Sequence, residues 1–268
     1  MRAEKTTPQA SAGRAEVLAG KREPWIWMYH SVADASWDPY GITVEPRRLA
    51  VQLGWLRRRG LKGVSIRELL AAQRAGQGGR LIGLSFDDGY ADFAEHALPV
   101  LREFGFSATV FVLAGHFDGV NAWDPLGPRK RLLGPPDIRT IAAAGIEIGS
   151  HGLEHRDLTD LSPGELRREV AESRTLLESV TGQAVAGFCY PYGYMNAGTL
   201  RAVSAAGYRY ACAITPGPLA GAMALPRVHI SQADRPWRLQ VKRFLHRVPL
   251  RLGPARTPSP SCEGQAGR

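Results

Sequence analysis

Short apolar runs alternate with amphipathic segments along the middle of the sequence, and the two kinds of segment differ in period. The apolar runs are rich in β-branched and aromatic residues and are bounded by Gly, Pro or polar clusters, which predicts buried β-strands. These runs lie at residues 25–29, 61–66, 81–86, 107–113, 146–148, 187–190, 208–214 and 225–230.

The segments between these runs have the spacing and the end signals of helices. Leucines recur at helical spacing between 49 and 59, and the segments 91–104, 138–144 and 196–206 are each followed by or end near a glycine that suits a helix C-terminus. Ser162 and Glu165 form a capping box with Pro163 at the first helical position, so a long helix is expected to reach Thr181.

Alternating strands and helices predict an α/β fold with parallel strands and helical crossovers. At this point a closed barrel and an open, doubly wound sheet both fit the pattern. No G-x-G-x-x-G follows the first predicted strand, so the sequence gives no support to a dinucleotide-binding domain.

Residues 24–250 are expected to form one folded domain between two tails. Residues 1–23 are polar, charged and Ala-rich, and residues 251–268 are rich in Pro, Ser and Gly, so the first is predicted to be flexible and the second disordered. No internal repeat and no second domain boundary is visible between the tails.

The composition is that of a globular protein, with 44% hydrophobic and 22% charged residues, and it excludes wholesale disorder. A formal net charge of +9 favours anionic partners. No nucleic acid is expected, because no helix-turn-helix, zinc-finger or RNA-binding signature is present. Three cysteines without a CxxC pair favour a reducing compartment. Without a signal-peptide core or an apolar stretch of about 18 residues, we expect a cytoplasmic protein.

Polar clusters accompany four predicted strands: residues 85–89, 149–155 and 189–193 follow three of them, and residues 226–229 lie on the last. Ligands of α/β folds bind outside the carboxyl ends of parallel strands, so these clusters are expected to meet at one rim. A single Asp-Asp-Gly is more often a turn, and a single His-x₃-His is more often a surface pair. Their joint placement at strand ends is what points to a site.

The residue types at this rim suit a metal ion. His151 and His155 are four residues apart and can face the same way, and two imidazoles with one carboxylate leave open positions for water on Zn²⁺ or a similar ion. Asp88 can supply the carboxylate, while the adjacent Asp87 stays free to act as a general base.

These residues resemble the motifs of a known family. Ser-Phe-Asp-Asp-Gly at 85–89 resembles the [ST]-F-D-D-G motif of the polysaccharide deacetylases, carbohydrate esterase family 4. The segment 150–155 resembles the second motif, H-[ST]-x-x-H, with Gly152 in place of Ser or Thr, and Pro-Tyr-Gly at 191–193 resembles the core of the third, R-x-P-[YF]-G. The resemblance extends over about residues 25–232.

The resemblance implies an irregular (β/α) barrel with seven strands and a deacetylase that needs one divalent metal ion. Zinc is the expected ion, with Co²⁺, Mn²⁺, Fe²⁺ and Ni²⁺ as alternatives. The implied ligands are Asp88, His151 and His155, and the implied general base is Asp87.

Two further roles follow from the resemblance. A backbone N–H near Tyr192, between Pro191 and Gly193, is implied as a donor to the oxyanion. His229 is the candidate for protonating the leaving amine, although it lies in Pro-Arg-Val-His rather than in the usual Leu-x-His.

The sequence departs from the family pattern in two places. The Arg of the third motif is replaced by Cys189, and no clear Asp-Trp motif follows it. Asp87 and His229 are therefore expected to be oriented by other groups. The candidates are Arg227, His30 and Asp92.

The implied substrate is an N-acetylated carbohydrate: a cytoplasmic oligosaccharide, a lipid- or nucleotide-linked glycan precursor, or an amino-sugar metabolite. One alternative is a non-catalytic glycan-binding homologue, which the missing third-motif Arg favours. Another is a metallopeptidase of the H-x-x-E-H type with Glu154 as its base. Gly152 inside the helix that this motif needs argues against the metallopeptidase, which also leaves Asp87 and Asp88 unexplained.

The segment 235–251 has a basic, amphipathic pattern, with six Lys or Arg among the apolar residues Trp237, Leu239, Val241, Phe244, Leu245 and Val248. We favour a terminal helix that packs on the barrel and exposes a basic face to solvent. A weak peripheral contact with an anionic membrane surface is the alternative hypothesis.

Overall fold

Parallel strands form the centre of the computed structural model, which describes residues 23–247. The strands are β1 (Ile26–Tyr29), β2 (Ser31–Val32), β3 (Thr43–Val44), β4 (Lys62–Val64), β5 (Leu81–Phe86), β6 (Thr109–Val112), β7 (Glu147–Ser150), β8 (Gly187–Cys189), β9 (Tyr210–Cys212) and β10 (Val228–His229). Seven of them follow one another in the order β10-β1-β5-β6-β7-β8-β9, and β4 pairs with the first half of β5.

The sheet curls until one segment bridges its two ends. The Ala213 N–H donates to the Leu225 carbonyl, and the Ile230 N–H donates to the Met28 carbonyl, both at 2.9 Å. The segment 225–230 therefore reaches from β9 to β1. This arrangement confirms the predicted irregular (β/α) barrel of parallel strands, and the open, doubly wound alternative is not adopted.

Helices connect the strands on the outside of the sheet. They are α1 (Pro46–Arg57), α2 (Ile66–Arg74), α3 (Leu98–Phe104), α4 (Pro135–Ala143), α5 (Pro163–Thr181), α6 (Ala197–Ala205) and α7 (Pro236–Arg247). The predicted capping box starts α5: the Ser162 hydroxyl accepts from the Glu165 N–H, and the Glu165 carboxylate accepts from the Ser162 N–H at 3.0 Å. The helix ends at Thr181, as expected, where Gly182 adopts a φ of 66°.

The helix predicted over 91–104 is divided into two parts. Residues Phe93–Ala97 form one wide π-helical turn, and α3 follows it. Pro99 lies at the start of α3 and has no N–H to donate backward, so a regular α-helical ladder cannot run through this position.

Two features were not predicted. The expected strand 61–66 ends at Val64, because the Ser65 hydroxyl accepts from the Glu68 N–H at 3.2 Å and so starts α2. The short parallel pair of β2 and β3 is two residues long on each side, which is too short to produce a visible period.

Indole rings pack β1 against α1. Trp25 and Trp27 meet edge to face with ring centroids 5.6 Å apart, and Trp55 lies 6.4 Å from Trp25 and 6.1 Å from Trp27. These buried rings fix β1 in the barrel wall, and they thereby fix the position of His30, directly after the strand.

The predictions for residues 1–23 and 251–268 lie outside the described residues, apart from Glu23. Among the helices between residues 23 and 247, none is both long enough and apolar enough to cross a bilayer.

Candidate active site

A cavity of about 400 Å³ opens where the parallel strands end. The structure brings residues from all four predicted clusters to it, together with residues from other loops. The lining consists of Met28, His30, Tyr40, Ile42, Asp87, Asp88, Trp123, Asp124, His151, His155, Tyr190, Tyr192, Gly193, Ile214 and Arg227.

Asp88, His151 and His155 converge on one point in this cavity. The Asp88 Oδ1 atom lies 3.2 Å from His151 Nε2 and 3.4 Å from His155 Nε2. All three side chains are buried, and their ligand atoms lie within 4.8 Å of one another. The three residues that the sequence suggested as metal ligands therefore lie close together in the fold.

The three side chains fit a divalent cation. The Nδ1 atom of His151 lies 2.8 Å from the Cys189 carbonyl, which orients the ring and leaves Nε2 for a ligand. Among the described residues, the buried Asp88 Oδ1 has no hydrogen-bond partner. Two imidazoles and one carboxylate are the donor set of an open zinc-type site.

The electrostatics of the cluster follow from its burial. Burial alone would raise the pKa of Asp88, but the close pairing with the His151 and His155 imidazoles outweighs burial and holds that pKa well below its usual range. The same pairing raises the pKa of His151 against the opposing effect of burial. The cluster therefore keeps the carboxylate charged, as a metal ligand requires.

Asp87 lies beside this cluster but has different partners. Arg227 donates from Nη1 to Asp87 Oδ1 at 2.6 Å, and both side chains are almost fully buried. Burial opposes ionisation, but the charge of Arg227 and that of His30 lower the pKa of Asp87 below its ordinary value. Of the three candidates for orienting Asp87, Arg227 makes the ion pair, and Asp92 instead accepts from Ser31.

Cys189 occupies the position of the third-motif Arg, and Arg227 reaches the same place from the segment before β10. The Cys189 Sγ atom lies 3.1 Å from Arg227 Nη2 and 3.5 Å from Asp87 Oδ2. Asp87, His151 and Cys189 also form a compact set of three potential metal ligands. The Arg227 guanidinium already neutralises Asp87, so this second set is a poor site for a cation.

His30 and His229 are neighbours, but they face different surroundings. The ring centroids are 6.1 Å apart, and His30 Nε2 lies 4.0 Å from Asp87 Oδ2. His30 lines the cavity, whereas His229 does not. Burial and the nearby charges of His30 and Lys242 lower the pKa of His229 to about 4, so its imidazole is neutral near pH 7.

The Pro191–Gly193 turn forms one wall of the cavity. Tyr192 adopts a φ of 58°, and its ring meets the His155 imidazole edge to face at 4.4 Å. The Gly193 N–H donates to the Tyr190 carbonyl at 2.9 Å, so it is already used. Pro191 is buried at the start of the turn.

Sequence reasoning missed two aromatic residues of the cavity, Trp123 and Tyr40. Trp123 stacks on the other face of His155, with ring centroids 4.6 Å apart and planes within 16°. Both residues lie in irregular loops near strand ends, where no period marks them. Their only signal in the sequence is an aromatic side chain in a loop rich in turn residues.

The geometry does not favour the H-x-x-E-H alternative. Residues 151–155 form no helix, and His155 adopts a left-handed φ of 50°. Glu154 pairs with His116 at 3.0 Å and is not part of the cavity lining.

Comparisons with known proteins agree with the fold and the motifs. A family model described as polysaccharide deacetylase matches residues 74–211. YxkH of Bacillus subtilis, whose name places it among the polysaccharide deacetylases, is 27% identical over 248 residues, covering 86% of this chain and 83% of that protein. A poly-β-1,6-N-acetyl-D-glucosamine N-deacetylase of Staphylococcus aureus is 23% identical over 204 residues, covering 70% and 68%. The structure of the deacetylase PplD of Streptococcus pyogenes, solved with acetate, has a TM-score of 0.70 at 22% identity, covering 82% of this chain and 98% of that one.

We expect the purified protein to bind about one divalent ion per chain, and we expect D88N and H151A each to lose it. Each change removes one of three converging ligand atoms. The measurement is metal content by mass spectrometry after reconstitution and gel filtration.

His96→Ala is the matched control, because His96 is exposed and lies outside the cluster. Metal retained by both site variants, or lost equally by the control, would contradict the assignment of the ligands.

Proposed function

Because this chain belongs to the polysaccharide deacetylase family, we propose that its cavity hydrolyses the N-acetyl group of an amino sugar in a glycan or glycan precursor. The observation that supports this most directly is that the two adjacent carboxylates have different partners. Asp88 faces the two histidines, while Asp87 is held ionised by Arg227 and stays available to accept a proton.

A divalent ion held by Asp88, His151 and His155 would supply Lewis-acid chemistry, which lowers the pKa of water and polarises a carbonyl oxygen. Zinc suits this donor set best. The chain's own groups account for the proton transfers and for the position of the substrate.

We assign the proton-accepting step to Asp87. Its carboxylate takes a proton from the water that attacks the acetyl carbonyl carbon. The Arg227 guanidinium orients the carboxylate and keeps it charged in a buried position. The Tyr192 N–H is the proposed donor to the developing oxyanion, because the neighbouring Gly193 N–H is bound to the Tyr190 carbonyl.

The amide C–N bond then breaks, and the leaving amine takes a proton. We assign this proton to His30, because it lines the cavity beside Asp87. His229, the residue expected from the sequence, lies beside His30 but does not line the cavity, and its imidazole is neutral near pH 7. The products are acetate and a free amino sugar.

Aromatic side chains at the cavity are suited to a sugar substrate. Tyr40 and Tyr192 line the cavity and are partly exposed, so they can pack against the apolar faces of sugar rings. The net charge of +9 suits a phosphate-bearing or otherwise anionic glycan precursor. The cytoplasmic location of that substrate stays a prediction from the sequence.

The alternative of a non-catalytic glycan binder rested on the missing third-motif Arg. Arg227 supplies a guanidinium to Asp87 from the segment before β10, so the missing Arg no longer argues against catalysis. The residues proposed as metal ligands and as general base all line the cavity, and we therefore favour a working enzyme.

We expect Asp87→Asn to lower acetate release from N-acetylglucosamine oligomers by about 10²–10⁴-fold while the metal stays bound, because it removes a general base but no ligand. Glu154→Gln is the control and should leave activity within a few-fold of wild type. No acetate release by the wild type, together with peptide hydrolysis that is lost in the Glu154 variant, would instead support the H-x-x-E-H metallopeptidase.

We expect Arg227→Gln to move the acid limb of the kcat/KM profile to higher pH by about 1–3 units. The Arg227 charge lowers the pKa of Asp87, so the ionised base persists at lower pH in the wild type. Without that charge the pKa rises and the base is lost at a higher pH. Arg227→Lys keeps a charge and should shift the limb less. An unmoved limb in a folded, metal-loaded Arg227→Gln protein would show that Asp87 does not set it.

The two histidines are distinguished by parallel variants. We expect His30→Asn to lower kcat by about 10²–10⁴-fold, because it removes the proton donor. His229→Asn should change kcat by less than tenfold. The reverse pattern would return the proton-donor role to His229.

A further inference from the structure

Helix α7 exposes an apolar stripe to solvent. Trp237 and Phe244 are each 63% exposed, and Val241 and Leu245 are each 48% exposed. Their spacing of four, three and one residues places them on one face of the helix. The predicted basic face is exposed at Arg235 and Arg238, and large apolar side chains are exposed beside it.

The opposite face of α7 anchors the helix to the barrel. Leu239 is fully buried, and the His246 ring stacks on Trp25 with centroids 5.6 Å apart. Lys242 donates to the His229 carbonyl and to Asp234, both at 2.6 Å. The opposite face thus anchors α7 to the barrel, and the apolar stripe faces solvent.

A basic groove of about 550 Å³ adjoins the start of this stripe, and no carboxylate lines it. Its charged residues are Arg48, Arg235 and Arg238, and the Arg238 guanidinium lies over the Trp237 ring at 5.4 Å. The buried Nε atom of Arg48 has no hydrogen-bond partner within the described part of the chain.

Several surface arginines elsewhere in the described part of the chain have acidic neighbours. Arg131 pairs with Asp137, Arg156 with Glu165 and Arg168 with Glu172. Across residues 23–247, no ion pair is found for the three arginines of the groove. The sequence from 235 to 247 also contains no Asp or Glu. Positive charge and apolar surface therefore lie side by side without compensating acidic groups.

We propose that α7 and Arg48 form a docking surface for an anionic lipid bilayer. Arg48, Arg235 and Arg238 bind lipid phosphates, and Trp237 and Phe244 enter the boundary between headgroups and acyl chains. A helix with a basic groove and exposed aromatic side chains has the two properties that interfacial binding needs, charge attraction and apolar area.

The charges argue against the other candidates for covering this face. Residues 1–22 contain five Lys or Arg against two Glu, and residues 248–268 contain three Arg against one Glu. Both segments, and a second copy of the same basic face, would meet the groove with like charge.

The test is co-sedimentation of the full chain with vesicles of phosphatidylcholine alone and of phosphatidylcholine mixed with phosphatidylglycerol. We expect binding to the anionic vesicles only, weakened by salt. Arg48→Gln/Arg235→Gln/Arg238→Gln should lower the partition coefficient by about 100-fold, since each basic residue contributes roughly fivefold. Trp237→Ser/Phe244→Ser should lower it at least about tenfold.

The matched controls are Arg102→Gln/Arg167→Gln/Arg201→Gln, which removes the same charge from other exposed helix positions, and Leu176→Ser on α5. They should bind within about twofold of wild type. If the controls lost as much binding, net charge alone would explain the effect and the proposal would be overturned. It would also be overturned if the wild type did not bind anionic vesicles, or if Trp237→Ser/Phe244→Ser bound them as strongly as the wild type. A wild-type dimer that this double variant dissociates would identify a second copy as the occupant. Acetate release is not measured, so the outcome is independent of the proposed enzymatic function.

Discussion

Asp87 and Asp88 place two carboxylates side by side at the end of β5, and each residue is only 3% exposed. Burying one uncompensated ion costs several kcal/mol, and two neighbouring anions also repel each other. Each carboxylate therefore needs its own positive partner, from a different direction. Asp87 is paired with Arg227, and Asp88 lies between His151 and His155. This requirement fixes β5, the loop after β7 and the segment before β10 relative to one another.

Cys189 stands where the third motif of the family has Arg, and Arg227 supplies a guanidinium from another part of the barrel. Cys189 is small, and burial raises the pKa of its thiol, so it remains neutral beside Asp87. The space that it leaves admits Arg227, which also donates to the Ala213 carbonyl and to the Ser85 hydroxyl. The barrel brings the end of β8 and the segment before β10 to the same cavity, so the charge can come from either one.

The barrel and the cluster of Asp88, His151 and His155 could be predicted because their signals are local. Asp88 follows a strongly apolar strand, and His151 and His155 are close in sequence, so strand ends and spacing were sufficient. The partner of Asp87 lies 140 residues away along the chain, and sequence alone gave Arg227 only as one of three candidates. Trp123 and Tyr40 lie in irregular loops, where neither period nor motif marks them. The pattern of α7 shows an amphipathic helix but does not tell which apolar residues the barrel covers, so the sequence left the exposed apolar stripe undetermined.

Residues at the cavity adopt backbone conformations that local propensity does not predict. Among the described residues, four non-glycine residues have a positive φ, and Asp88, His155 and Tyr192 are three of them. Such conformations cost about 1–3 kcal/mol each and persist only where the surroundings enforce them. For His155 the enforcing contacts are visible: Trp123 stacks on one face of its ring, Tyr192 meets the ring edge to face, and Nε2 points to Asp88. Packing against Trp123 and Tyr192 thus holds His155 in its strained conformation. The convergence of Asp88, His151 and His155 therefore depends on tertiary packing and not on the conformational preferences of the segments that contain them.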